Sequence, residues 1–429
     1  MMKRHPRNGL LAISVVIALV LGACGDGETA DTDATSSPDT AGDTTPATTT
    51  GETTPDGDGE PIRIGTLTDL TGNFTPWGLH VRDGMQLSAD HINAAGGVNG
   101  RMIELVVADA QANPEEGVTA FERLIEQDGV VAAGGIISSD VGLATSRVAE
   151  ELQVPLFLVK AGATDILTPN SRFTFRTCLP SAPMVAGPVL QYVQSQGLTR
   201  VGAIIADYAW GQAVRAAIED TFAEAPDIEL QIEVAPVGES DFTTYLRALE
   251  GLDPEMIVAT GHPPGTGPIV VQSADLGFDV PITGSYTPRS LVVGGVAEAA
   301  IDRYADFGCA DVESPEWEEL AREYVEFSAD NTFLEDDAVA SYGIVQVVAE
   351  AVGEVGDDPV AVSEYLHSNT FDLPGYSFEM EWTEWGELAN AQIAFDIISE
   401  GPAPEGVNEG GEWFVDRLLV SEPLEPYQP

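Results

Sequence analysis

The sequence predicts an α/β protein of two lobes, each a mainly parallel sheet flanked by helices. Three observations predict it. From residue 61 onward, strand-like and helix-like segments alternate with short connections. The strands read as near-continuous apolar runs between amphipathic helices, which is the pattern of parallel strands covered on both faces. The alternation pauses at "SRFTFRT" (171–177) and then restarts, with no sequence repeat between the two sets.

The first set runs as strand 62–68, helix 81–95 stopped by Gly96-Gly97, strand 102–108, helix 115–127, buried strand 130–134, helix 139–152 and strand 155–159. The second runs as helix 182–196, strand 200–206, helix 211–225, strand 230–235, helix 242–249, strand 256–259, helix 267–276 and strand 281–284. Two long helical patterns follow, 315–329 and 336–355, and then strand-like pieces from Gly375.

The chain start has another character. Lys3, Arg4 and Arg7 precede a run from Leu10 to Leu21 that is apolar apart from Ser14. That run is shorter than the roughly 20 residues a spanning helix needs. A basic start, a short apolar core and small residues are the layout of a secretory signal, and Leu21-Gly22-Ala23-Cys24 resembles a bacterial lipobox. A signal peptide at 1–23 and lipidation at Cys24 are the expectation, the alternative being an ordinary signal with an incidental cysteine. Residues 25–60 hold no aromatic or large aliphatic side chain. Such a stretch cannot bury enough apolar surface to offset its ordering entropy, so 24–60 is expected to be a disordered tether. The body would then work outside the cytoplasm, on the outer face of the cytoplasmic membrane or in a periplasm, held to the membrane by its lipid anchor only.

The body of about 370 residues, in a chain that is 44% hydrophobic, is ample for two ordinary domains. No segment of it reads as approaching transmembrane length. The whole chain carries 18 basic and 70 acidic residues; losing residues 1–23 leaves 15 basic residues and a single lysine, Lys160. So acidic a surface repels phosphate backbones, which excludes nucleic acid as a partner. Five scattered histidines (5, 80, 91, 262, 367) and no Cys-x-x-Cys argue against a metal site. Cys178 and Cys309 are an even pair in an oxidising compartment and suggest a disulfide.

Motifs for hydrolases, zinc proteases, nucleotide loops and dinucleotide sites are absent from the sequence. The reading is therefore a binding protein without cofactor, not an enzyme. In open parallel sheets ligands sit beyond the carboxyl ends of strands. "GGIISSDVG" is a buried strand running into a helix through Ser138, Ser139 and Asp140, where backbone N–H groups and a hydroxyl can hold an anion; the alternative is that one of these residues simply caps the helix. In "FLVKAGATD", Gly162 admits close backbone approach and Thr164 adds a hydroxyl, or the segment is a plain turn. Trp77 in "DLTGNFTPWG" is placed in a loop, either covering a ligand or packing.

"LTDLTGNFTPWG", "INAAGGVNGRMIELVVAD", "GGIISSDVG", "PLFLVKAGATD", "FTFRT" and "IIADYAWGQA" occur in the order seen in branched-chain amino-acid-binding proteins, and over nearly the whole body the chain resembles that family. These are type I periplasmic solute receptors of ABC importers. The resemblance implies two α/β lobes joined by three hinge crossovers, with ligand enclosed between them. It implies lobe one from 61–177 and 307–376, and lobe two from 178–306 and 377–429. Ser138, Ser139, Gly162, Ala163 and Thr164 then meet the carboxylate and amine of an amino-acid-like ligand, and Trp77, Asp207, Tyr208, Trp210 and His262 form cleft walls. Cys178, after the first crossover, and Cys309, near the second, fall side by side in the hinge. One departure stands out: where amino-acid binders carry an acid to pair the ammonium, "GSYTPRS" presents Tyr286. A phenol supplies no ion pair to an enclosed ammonium, so either Asp207 or Asp165 substitutes or the ligand is not an α-amino acid. The implied partners are a small carboxylate ligand and the permease and ATPase of an importer, the receptor itself being a monomer. A ligand sensor of amides, urea or aromatic acids on the same fold is the other reading.

Overall fold

The computed structural model describes residues 59–261, 265–285, 299–329, 333–402 and 413–429. The predicted signal, the tether up to residue 58 with Cys24, and the candidate residues His262 and Tyr286 lie outside the described residues.

A five-stranded sheet forms from β1 (Ile62–Thr68), β2 (Ile103–Asp109), β3 (Ala132–Ile136), β4 (Leu156–Leu158) and β5 (Thr174–Arg176). All its pairings are parallel, in the order β2-β1-β3-β4-β5. Helices α1 (Thr75–Ala94), α2 (Pro114–Glu126) and α3 (Ser139–Leu152) connect its strands. Local chemistry sets their starts. Pro76 opens α1, and Pro114 opens α2 behind Asn113, whose side chain accepts the N–H groups of Glu115 and Glu116.

After β5 the chain crosses to a second sheet through helix α4 (Ala182–Ser195). Strands β6 (Arg200–Ala206), β7 (Glu229–Ala235), β8 (Met256–Thr260), β9 (Ile282–Ser285) and β10 (Tyr304–Gly308) alternate with α5 (Ala209–Ala223), α6 (Thr243–Leu249) and α7 (Thr266–Asp275). The chain then returns to the first sheet with α8 (Pro315–Phe327), α9 (Asp336–Val355) and α10 (Pro359–Leu366), and crosses back to add β11 (Ala394–Glu400) and β12 (Trp413–Val420). The second sheet has the order β12-β11-β10-β9-β8-β6-β7; β11 pairs antiparallel with both β10 and β12, and the remaining pairings are parallel.

Several elements differ from the sequence reading. Helix α1 begins at Thr75 rather than 81, because Pro76 is pre-set for a first turn; Trp77 is therefore on a helix, not in a loop. "SRFTFRT" contains a strand, β5, only three residues long, and "YADFGC" contains β10. Neither is long enough to carry a clear alternation. The pieces after Gly375 form isolated bridges, Phe371 with Met380 and Trp382 with Leu388, before β11 begins. Trp382 and Gly386 lie against β5 of the first sheet: the Trp382 ring packs edge-on to Phe175, and the Arg176 N–H donates to the Gly386 carbonyl at 3.0 Å. Helix α9 is, against expectation, long and apolar enough by composition to cross a bilayer. It is the core helix that packs along α1, and its apolar length is buried within the protein.

The first two crossovers are bonded together. Cys178 and Cys309 form a disulfide with a Cα–Cα separation of 5.4 Å, as the resemblance implied. Beside it Asp336, at the start of α9, accepts the N–H groups of Cys309 at 2.8 Å and Ala310 at 2.7 Å. Gly308 is required there, since a Cβ would lie 2.3 Å from the Asp336 carboxylate. The cross-link spans 131 positions, and chain entropy assigns such a loop up to about 4–5 kcal/mol. Urea unfolding of the protein with and without reductant measures this: the reduced form is expected to unfold at a clearly lower midpoint, and coincident curves would remove the disulfide from the stability account.

Candidate ligand-binding site

Strand order locates the site. In the first sheet the chain steps from β1 to β2 on one side and then from β2 back across β1 to β3 on the other, which opens a crevice at the carboxyl ends of β1 and β3. Asp69 follows one of these strands and Ser138 the other. In the second sheet the same reversal occurs at β6, between β7 and β8. There Asp207 to Trp210 follow β6, and Thr260 and Gly261 end β8. The two lobes meet here: Trp210 of α5 packs against Gly162, in the loop that follows β4, so closely that a Cβ at Gly162 would stand 2.4 Å from the indole. Trp210 is held by its Nε1–H, which donates to Thr260 Oγ1 at 3.0 Å.

Ser138 sits at the N-cap of α3, buried, yet its side chain makes no capping hydrogen bond. Capping therefore does not account for it. Ser139, fully buried in the first turn, accepts the Ala163 N–H at 3.2 Å and so joins the α3 start to the 161–164 loop. Asp140 reaches the other lobe, its Oδ1 accepting the Ala209 N–H of α5 at 3.3 Å. That places a carboxylate against a helix N-terminus, where the dipole favours it.

Trp77 is buried, stacks on Phe74 at 5.7 Å and lies 5.1 Å beneath the Lys160 ammonium. Lys160 is itself buried and 2.7 Å from Asp337 Oδ1 at the start of α9. The Trp77 Nε1–H has no protein partner. Behind them the His80 imidazole is pushed down to about 3 by burial and by Lys160, and its Nδ1 lies 3.0 Å from the Tyr324 hydroxyl.

Tyr208 faces Phe74 across the lobes with ring centroids 5.4 Å apart. Burial, then the carboxylates of Asp140 and Asp69, push its phenol well above the ordinary value. Asp207 is exposed and its Oδ1 is held by Gln212 Nε2 at 2.7 Å. Asp165, the other candidate partner for an ammonium, lines a cavity of about 320 Å³ with Leu143, Ala163, Thr164, Ala209, Gln212 and Ala213. That cavity takes walls from both lobes. Among the described residues the closest cluster of metal-ligand atoms is Cys178, Cys309 and Asp336, with both sulfurs consumed in the disulfide.

The sequence reading missed Asp69. It is 1% exposed, its Oδ1 accepts the Ala112 N–H at 2.7 Å, and its Oδ2 has no hydrogen-bond partner. Burial pushes its carboxyl up to about 6, helped by Asp109 and opposed by backbone N–H groups. The signal was present, a carboxylate closing an apolar strand in "LTDLTG", but nothing local to the chain says that it is covered.

This arrangement, two mainly parallel sheets whose crevices are bridged by a cross-lobe aromatic, is that of a two-lobed binding-protein class. The chain belongs to the type I periplasmic binding proteins, the family of the branched-chain amino-acid-binding proteins: the periplasmic binding protein family model matches residues 61–395. A Pseudomonas aeruginosa leucine-, isoleucine-, valine-, threonine- and alanine-binding protein is 23% identical over 333 residues, covering 77% of this chain and 87% of that protein. The leucine-binding protein LivK of Thermotoga maritima superposes with a TM-score of 0.72 at 20% identity, over 84% of this chain and 99% of that one. An R. palustris solute-binding protein crystallised with benzoate superposes with a TM-score of 0.71 at 18% identity, over 86% and 98%. Members of the family are extracytoplasmic substrate-binding proteins.

Because Asp69 titrates higher folded than unfolded, its contribution to stability is complete below about pH 4 and is lost as pH rises through about 6. Asp69→Asn keeps the acceptor for Ala112 and removes the titration. The variant is expected to match wild type near pH 4 and to exceed it at pH 8 by on the order of 2–3 kcal/mol. Unfolding midpoints across that range, with a constant difference between the two proteins, would contradict this.

Proposed function

We propose that the protein is a lipid-anchored extracytoplasmic solute receptor that encloses a small amino-acid-like or carboxylate ligand between its lobes and delivers it to an ABC permease. The observation that carries this reading is the contact of Trp210 with Gly162, a second-lobe aromatic seated on first-lobe backbone at the junction of both crevices. The lobes open and close about the three crossovers, and closure removes the ligand from water. The chain is divided as in the family resemblance: signal 1–23, tether 24–60, lobe one in 61–177 and 307–376, lobe two in 178–306 and 377–429. It acts by binding and performs no chemistry on the ligand.

Ser138 and Ser139, at the start of α3, receive the carboxylate, with helix N–H groups adding donors. Gly162, Ala163 and Thr164 form the adjoining wall, and Trp77, Tyr208 and Trp210 enclose the remainder, with His262 and Tyr286 assigned to the ligand by the family resemblance. The ligand's far end is set by the acids available. With Tyr286 where an acid would pair an ammonium, and Asp207 engaged by Gln212, Asp165 is the acid that lines the cavity. A relative that binds branched-chain amino acids and a structural neighbour holding benzoate bracket the choice between a cationic and an uncharged tail.

A thermal-shift panel of amino acids, amides and aromatic acids identifies the ligand, since tight binding raises the unfolding temperature by mass action. For whichever compound binds, Ser138→Ala removes a hydrogen bond to a charged group, worth about 1.5–3 kcal/mol. Calorimetry is expected to show affinity weaker by roughly 10- to 150-fold; unchanged affinity would move the site elsewhere. A panel that leaves every compound without effect while gene neighbours encode a sensor kinase would favour the sensing reading.

The anchor is tested separately. Cys24→Ser is expected to release the protein from membranes or leave it unprocessed. A processed, membrane-bound Cys24→Ser protein would exclude lipidation at that residue.

A further inference from the structure

The backbone at 161–163 is held by every one of its carbonyls. Arg176, fully buried at the end of β5, donates through Nη1 to the Ala161 carbonyl and through Nη2 to the Ala163 carbonyl at 2.8 Å. The carbonyl between them, Gly162, accepts the Ala182 N–H at 3.1 Å, and Ala182 is the first residue of the first helix of lobe two. These are the residues whose backbone faces Trp210 and whose Ala163 N–H engages Ser139.

Arg176 is in turn set by the third crossover. Its Nε donates to Glu387 Oε2 at 3.2 Å, and Glu387 is fully buried. The same carboxylate oxygen accepts the Ser181 hydroxyl, from the residue before Ala182, and the other oxygen accepts the Leu388 N–H at 3.1 Å. The Arg176 carbonyl accepts the Trp382 Nε1–H at 2.6 Å. Burial pushes the Glu387 carboxyl up, and Arg176 and Ser181 oppose it. A guanidinium stays protonated and presents donors in a fixed fork, so one side chain can grip two carbonyls and a carboxylate together.

We infer that Arg176 is a positioning residue for the ligand loop 161–164, and that Glu387 couples the setting of that loop to the hinge through Ser181. A shift of the third crossover relative to α4 must break either Glu387–Arg176 or Glu387–Ser181. Each break frees one side of the loop: the first releases the carbonyls of Ala161 and Ala163, the second disturbs the start of α4 on which the Gly162 carbonyl rests. Loop geometry and lobe geometry therefore change together. This rests on the proposed receptor role for its meaning, but its test needs no ligand.

Hydrogen exchange on the ligand-free protein reads it, comparing the segment 159–166 with β6 at 200–206 as an internal reference. Glu387→Gln keeps size and an acceptor while removing the charge, and Arg176→Lys replaces the fork with a single ammonium. Both are expected to speed exchange in 159–166 at least tenfold beyond any change in 200–206. Ser181→Ala leaves Arg176 untouched and is expected to speed the same segment at least threefold. If Arg176→Lys fails to fold, Glu387→Gln and Ser181→Ala decide. Loop and reference segments accelerating in step would reduce these residues to general stability and overturn the inference. A loop that uncouples as expected in a protein for which no small ligand is found would leave the inference standing and remove the receptor reading.

Discussion

Everything in this fold converges on six residues of the first crossover, Arg176 to Ser181. Two sheets joined by three passages of the chain need those passages held in register, and this crossover is fastened to both of its neighbours. Cys178 bonds it covalently to the second, and Arg176, with Ser181, fastens it to the third through Glu387. A buried ion pair is weak evidence for stability, because desolvation offsets much of the Coulomb gain. What it does supply is registry. The Arg176–Glu387 pair ties the segment leaving the first sheet, the segment returning to the second and the 161–164 loop into one hydrogen-bonded cluster.

Two helix starts then meet at the candidate site, one from each lobe. Helix α3 brings the buried hydroxyls of Ser138 and Ser139 to the crevice, and α5 brings Trp210. Asp140 accepting from the Ala209 N–H places a first-lobe acid on a second-lobe helix terminus, an attraction made only when the lobes are together. Asp69 beside it is an incompletely bonded, buried carboxylate disfavoured in ionised form, and Tyr208 is a phenol that stays neutral against Phe74. In the proposed receptor, a bound ligand adds its contacts to these when the lobes close.

The alternation of apolar strands with amphipathic helices made the two-sheet architecture legible, and α3 and α9 begin and end where the sequence pattern puts them. The disulfide is suggested by the even cysteine pair, and its place between two crossovers by family resemblance rather than by spacing. What stayed hidden has a common cause, which is long separation along the chain. Arg176 and Glu387 are 211 residues apart and Lys160 and Asp337 are 177 positions apart by numbering, so no window of sequence contains both partners. Short strands such as β5 escape for the complementary reason, since three residues carry no period. The α1 start was misplaced because the prolyl residue that opens it was read as part of a loop. The candidate site residues were legible as a set of small polar and aromatic positions at strand ends, without the partners that show which of their groups are committed.

The central claim is that the seat of Trp210 on Gly162 is the closed, ligand-enclosing state. Gly162→Ala tests it most directly, because the added methyl occupies space now held by the indole, 2.4 Å away, while the rest of the loop keeps its bonds. Titration calorimetry of this variant, with the compound that stabilises wild type, is the measurement. The account predicts a protein that folds normally and binds at least tenfold more weakly. Wild-type affinity in Gly162→Ala would contradict it, since the lobes would then enclose the ligand without that contact.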